Sequence, residues 1–307
     1  MSRLFSLGIV NRGSRRGAAG FVLSAMMCAA GLGWTIPHAA AKDKVRSKGR
    51  AAQAEAAQDA QSAEQTTAND EKSDDTAAPA LTLRDVIAFA RKSRAALNDV
   101  KDYTAHFSKL ERIGNSVIQQ EMDMKFRTKP FSVYFLYQSN NEQGRQAIFV
   151  DGRNNNYLLV KEAKGVAGFI GAVRLKLDDP RVKAENLYPV THVGIANMLD
   201  ETINNWERDL QIPGDEVDVQ FFPNAKFKGV PCQAIQVTHL KKLKELKYSK
   251  NRIYFDKETN LPIRGERFGW ARRAGEEPPL VEDYRYTNLK TNVNLTDADF
   301  TPARYGF

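Results

Sequence analysis

The chain has 307 residues, with 45 Lys and Arg against 37 Asp and Glu, a formal net charge of +8 and two cysteines. The positive excess suits an anionic surface or ligand but falls short of a nucleic-acid-binding footprint. With one of the two cysteines inside an export signal, no internal disulfide is available, and an apolar core must carry the stability.

Residues 1–41 hold Arg3, Arg12, Arg15 and Arg16 and no acidic residue, followed by the uncharged run Ala18 to Ile36 and by Ala39-Ala40-Ala41. That order reads as a secretory signal peptide, with an uncleaved anchor as the alternative because the apolar run is long. Arg15-Arg16 lacks the large apolar residues that follow a twin-arginine signal, and Met26-Met27 before Cys28 fits a lipobox poorly. Residues 42–79 contain Val45 as their one large apolar side chain, with eight acidic and six basic residues. Such a segment buries too little apolar surface to offset its ordering entropy and reads as a disordered linker. The expected location is therefore the periplasm. The folded part is one domain, 80–307, which keeps an excess of six positive charges, 35 basic residues against 29 acidic.

Thr82 and Asp85 form a capping-box pattern, and Leu83, Val86, Ile87, Ala90 and Leu97 share one face of the helix that follows. Strands are expected from Tyr103 to Glu111 and from Ser116 to Arg127. In the second, Ile118, Gln120, Met122, Met124 and Phe126 alternate with polar residues, giving one dry face and one wet face. Phe131 to Gln138, Arg145 to Val150 and Tyr157 to Lys161 continue the series, and Val173 to Leu177 adds one more. Between them, 162–171 is a Gly- and Ala-rich loop, and Asp178-Asp179-Pro180 reads as turn chemistry. A second helix, roughly Val193 to Leu210, carries the stripe Ile195, Met198, Leu199, Ile203, Trp206 and Leu210. Val217 to Phe222 and Val230 to Thr238 are strands, with Cys232 a buried small apolar residue of the second. Ile253-Tyr254-Phe255, the polar turn 256–260 and Leu261-Pro262-Ile263 form a hairpin. Leu280 to Tyr286 is the next strand, and Leu295 to Phe300 closes the domain. Sequential antiparallel strands with two covering helices make an α+β protein whose long sheet curls as its twist accumulates.

Phe107 to Asn115 (FSKLERIGN), Lys129 to Tyr137 (KPFSVYFLY), Tyr188 to Leu199 (YPVTHVGIANML) and Asn294 to Phe300 (NLTDADF) carry a family resemblance. With the DKETNLP turn and the Tyr-rich strand, they resemble an uncharacterised family of secreted bacterial domains. That family is assigned to the LolA/LolB-like lipoprotein-localisation-factor superfamily. The resemblance implies a LolA-like fold: a curled antiparallel sheet, an incomplete β-barrel, with helices as a lid over an apolar cavity. It also implies a non-enzymatic carrier whose partners are lipid or lipoprotein acyl chains, with a basic residue near the cavity, for which Arg112 and Arg127 are candidates.

The residues themselves offer no catalytic constellation: G-x-S-x-G, P-loop, C-x-x-C and paired-histidine motifs are all missing. No cofactor or metal site is expected. His106 reads as a surface or hydrogen-bonded residue, His192 as a packing or capping residue, and Asp283, Asp297 and Asp299 as local hydrogen-bonding groups. Two features stand out. Met122, Met124, Phe126, Phe131, Phe135, Tyr137 and Phe149 form an aromatic and methionine-rich strand face, suited either to ordinary core packing or to an acyl-chain cavity. Lys241, Lys242, Lys244 and Lys247 alternate with Leu240, Leu243 and Leu246 as a short amphipathic helix for an anionic membrane or a partner, or as a solvated connection. The expected protein is thus a monomer, without nucleic acid, that binds an apolar ligand in envelope lipid or lipoprotein transfer. The alternative is an envelope structural or sensory module with a filled core that binds a protein.

Overall fold

The computed structural model describes residues 81–163 and 171–307. The expected signal peptide, the expected linker and the centre of the Gly/Ala-rich loop lie outside them. Eleven strands make one antiparallel sheet. They are β1 (Asp102–Ile113), β2 (Ser116–Arg127), β3 (Ser132–Tyr137), β4 (Gln146–Val150), β5 (Leu158–Lys161) and β6 (Val173–Leu175), then β7 (Val217–Phe227), β8 (Val230–His239), β9 (Lys250–Asp256), β10 (Pro262–Phe268) and β11 (Leu280–Thr291). The order is β6-β5-β4-β3-β2-β1-β11-β10-β9-β8-β7. Each half of the chain is a meander, and the halves join at the centre, where Phe107 pairs with Tyr286 and Lys109 with Tyr284. β6 and β7 are the two edges and do not pair, so the barrel is incomplete.

Among the described residues three α-helices accompany the sheet: α1 (Leu83–Ala96), α2 (Pro180–Glu185) and α3 (Ile195–Asp209). The Thr82 amide donates to Asp85 Oδ2 at 2.9 Å and the Asp85 amide to Thr82 Oγ1 at 3.3 Å, which completes the capping box of α1. Val86, Ile87 and Ala90 are buried, and Phe89 meets Phe255 edge to face at 4.9 Å, so α1 covers the C-terminal hairpin. α3 buries Ile195, Met198, Leu199, Ile203 and Trp206 on the same sheet face. The turn expected at Asp178-Asp179-Pro180 is present, with the Asp179 amide donating to the Lys176 carbonyl at 3.0 Å, and it leads directly into α2. Asp179 Oδ1 accepts the Arg181 amide at 2.9 Å and Pro180 occupies the first turn, the chemistry of a helix start.

The closing segment also differs from a strand. Asp297–Phe300 is a 3₁₀ turn that lays Phe300 on Tyr134, Ile148 and Val150, on the sheet face opposite the helices. On that face of the C-terminal half, Phe227, Cys232, Ala234, Tyr254 and Ile263 pack together, and burial pushes the Cys232 thiol up to about 11. Asp283 is a hydrogen-bonding group whose partners form a buried ion network. It accepts from Arg264 Nε at 3.1 Å and from Arg285 Nε at 2.8 Å across and along the strands.

Candidate functional site

The helix-covered face is not filled along its whole length. A cavity of about 280 Å³ lies between β1, β2, β3 and β11 on one side and α3 with the segment 188–194 on the other. Phe107, Met122, Phe135, Tyr284 and Tyr286 form its floor and Met198 part of its roof. Two glycines set how closely the roof approaches. A Cβ on Gly265 of β10 would lie 2.9 Å from Met198 Sδ, so this glycine leaves the space that the Met198 thioether occupies. Gly194 precedes α3 with φ +121°, and a Cβ on it would lie 3.1 Å from the Phe126 ring. The freed amide of Ile195 donates to the Tyr103 hydroxyl at 3.2 Å, so a sheet side chain caps the roof helix.

Of the seven apolar residues singled out in the sequence, Met122, Phe135 and Tyr137 line the cavity. Met124, Phe126, Phe131 and Phe149 do not. Phe126 stacks on Tyr103 at 4.7 Å and meets Phe131 edge to face at 5.3 Å, and Phe131 meets Phe149 at 6.0 Å. All seven share the covered sheet face, but alternation specifies a face and not a position along the strand. Neither Arg112 nor Arg127 lines the cavity. Arg127 donates to Asp297 at 2.9 Å and lies over the Phe300 ring on the opposite face. The basic residues that do line it are Lys109 and Arg267.

Those two belong to a polar cluster at one end of the cavity. Phe107, Lys109 and Glu111 point to the same side of β1, so a chain reading Phe-x-Lys-x-Glu places an ion pair where an apolar pair is usual. Lys109 Nζ donates to Glu111 Oε2 at 3.1 Å and to the Glu185 carbonyl at 2.8 Å. Glu111 also accepts the Leu187 amide at 3.0 Å and the Tyr284 hydroxyl at 2.7 Å. Beside this pair, Glu282 is almost fully buried and accepts from Arg267 Nη1 at 2.6 Å, Lys247 Nζ at 3.2 Å, the Tyr188 hydroxyl at 3.1 Å and the Tyr248 hydroxyl. Burial alone would push the Glu282 carboxyl up, but Arg267, Tyr248 and Lys247 outweigh it and hold it below its ordinary value. For Lys109 burial wins and pulls the ammonium down despite Glu111. This cluster fixes the segment 185–188 against the sheet. The paired charges on an inward strand face were the signal that could have found it.

The end of α3 is held by another buried pair. His239 Nε2 lies 3.0 Å from Asp209 Oδ2 and its Nδ1 lies 2.9 Å from the Tyr248 carbonyl, so both ring nitrogens face acceptors. Burial opposes the imidazolium, but the Asp209 hydrogen bond and charge prevail and raise the His239 pKa. The lysine-rich connection is a turn, not a helix. Lys241 pairs with Glu216 at 3.0 Å and Lys247 covers Glu282 and the Tyr248 ring, while Lys242 and Lys244 are exposed. Trp270 Nε1 donates to the Leu246 carbonyl at 3.0 Å, which ties the connection to the segment after β10. Among the described residues no three His, Cys, Asp or Glu side chains converge as metal ligands, and no helix is long and apolar enough to cross a membrane.

A search of curated protein sequences finds no match. Several solved structures are similar to this chain at low identity. The Mycobacterium tuberculosis lipoprotein LppX is 13% identical over 69% of this chain and 97% of its own, with a TM-score of 0.38. A putative outer membrane lipoprotein-sorting protein domain from Vibrio parahaemolyticus is 9% identical over 71% and 97%, with a TM-score of 0.34. A LolA superfamily protein from Nitrosomonas europaea is 13% identical over 73% and 99%, with a TM-score of 0.31. The family model described as "Protein of unknown function (DUF1571)" matches residues 100–307, about two thirds of the chain and nearly all of its described part, and the chain belongs to that family.

Proposed function

We propose that the protein is an exported, non-enzymatic binder that holds one apolar or amphiphilic molecule of lipid class between its sheet and α3. The observation that carries this reading is the cavity, about 280 Å³ left open in an interior that is otherwise close-packed. Small-molecule pockets run to roughly 300–1,000 Å³, and a space near the lower end of that range suits one short chain or ring. Binding would follow from removing the ligand's apolar surface from water against Phe107, Met122 and Phe135, at about 0.8 kcal/mol for each buried methylene. The roof made by α3 and 188–194 is the element that would open for entry. The export signal in residues 1–41 supports a periplasmic site of action, and acyl chains of lipids or lipoproteins are the natural ligand class there.

Native mass spectrometry of the purified chain tests the reading. The expected result is a single adduct of a few hundred daltons, or uptake of one equivalent of an added ten-carbon amphiphile. A chain that carries no adduct and takes up none is a filled-core module, and the reading fails.

A further inference from the structure

The cavity has a polar end whose charges are already matched. The three protons of the Lys109 ammonium are directed to Glu111 Oε2 (3.1 Å), the Glu185 carbonyl (2.8 Å) and Asn186 Oδ1 (2.5 Å). The other lining cation, Arg267, donates to Glu282 and lies over the Tyr248 ring. At the rim, α3 contributes Asp200, which Arg94 holds at 2.7 Å, and Glu201. An anionic head placed here would meet no uncommitted lining lysine or arginine among the described residues and would lie near the Glu111 and Glu201 carboxylates. A cationic head would face Lys109 and Arg267. At the Lys109–Arg267 end a charge of either sign would meet only groups that are already paired, the arrangement that buried charge tolerates least. Hydrogen-bonding capacity, by contrast, remains open. Asn197 Nδ2 is committed to the Thr191 and Val193 carbonyls at 3.1 and 3.0 Å, which leaves its side-chain oxygen to accept, and Asn204 lies two turns further along the same helix.

From this arrangement we infer that the ligand's polar end is uncharged and donates hydrogen bonds. The fitting class is a single-chain alcohol, amide or monoacylglycerol, not a fatty-acid anion or a phospholipid. The inference rests on the cavity being a lipid site, and its test separates the two claims. The purified chain is loaded with an uncharged apolar fluorophore, N-phenyl-1-naphthylamine. Four ten-carbon competitors, decanol, monodecanoylglycerol, decanoate and decyltrimethylammonium, are then titrated at pH 7 below their micelle-forming concentrations. The two uncharged competitors are expected to displace the dye at concentrations about tenfold lower than either charged one, a difference of about 1.4 kcal/mol. If decanoate or the ammonium compound competes as well as the uncharged pair, the head-group inference is overturned and the cavity reading stands. If the dye does not bind and no competitor is taken up, both are overturned. A second arm uses Glu111→Gln, which removes the carboxylate from Lys109. Decanoate affinity should rise about tenfold relative to decanol affinity in the same variant. An unchanged ratio of the two in a variant that still binds decanol would show that the Lys109–Glu111 pair is not what excludes anions. Should that variant not fold, the four-competitor series on the parent chain still decides the inference.

Discussion

The two ends of the helix-covered face are built from the same strands and differ in what they leave empty. At one end Phe126, Val133, Phe149 and Tyr103 interlock beneath Gly194, and the interior is closed. Two to four residues along the same strands, Met122, Phe135, Tyr137 and Ala147 face the cavity, and beyond them Lys109 and Glu111 replace apolar side chains. The difference shows that a dry strand face specifies burial without specifying packing. At the second end a polar cluster pins 185–188 to the sheet, and the roof helix rests its Met198 side chain on Gly265.

The comparison can be broken first at its polar boundary. Glu282→Leu would leave Arg267 buried without its carboxylate and should cost about 3–5 kcal/mol in a denaturant melt. A loss under about 1 kcal/mol would mean that the cluster does not hold that end of the fold. At the packed end, Phe126→Ala should cost a similar 3–5 kcal/mol because the site is closed on all sides. A near-neutral result there would erase the contrast between the two ends.

How much of this was legible in the sequence follows from the same contrast. Alternation in β2 gave the buried set Gln120, Met122, Met124 and Phe126 correctly, and the Thr82–Asp85 box and the apolar stripe of α3 marked both long helices. The hairpin at 256–261 was readable because its turn residues and flanking aromatic run are local signals. The cavity was not readable, because it depends on how high α3 sits over β10, a long-range contact between Gly265 and Met198 that no local pattern encodes. The polar cluster was missed because inward-facing Lys109 and Glu111 read as the wet face of a strand. The lysine-rich connection reads both as a short helix and as a solvated connection, and it is the connection. Leucines three apart mimic a helix, but Lys247 and Leu246 are committed to Glu282 and Trp270.

A smaller effect concerns pH. The raised His239 pKa means that its pairing with Asp209 stabilises the fold fully below the ordinary histidine value of about 6.5, and that this contribution is lost as pH rises through the raised value. Thermal midpoints should therefore fall over the window above about pH 6.5, and His239→Gln should flatten that slope. An unchanged slope would assign the dependence to another group. The smallest effect is expected at Lys242 and Lys244. Their replacement by Gln should alter stability by no more than about 0.5 kcal/mol. Vesicle co-sedimentation of the same variant, at low and high salt, tests whether these exposed lysines meet anionic lipid.

The most direct test sets one enlarging substitution at each end side by side. Met124→Trp adds volume where the interior is full and should cost about 1–3 kcal/mol while the parent's binding of N-phenyl-1-naphthylamine persists in the folded variant. Ala147→Phe adds volume where the cavity is open, so stability should stay within about 1 kcal/mol of the parent and dye binding should be lost. Equal destabilisation by the two, with dye binding unaffected by Ala147→Phe, would contradict the account.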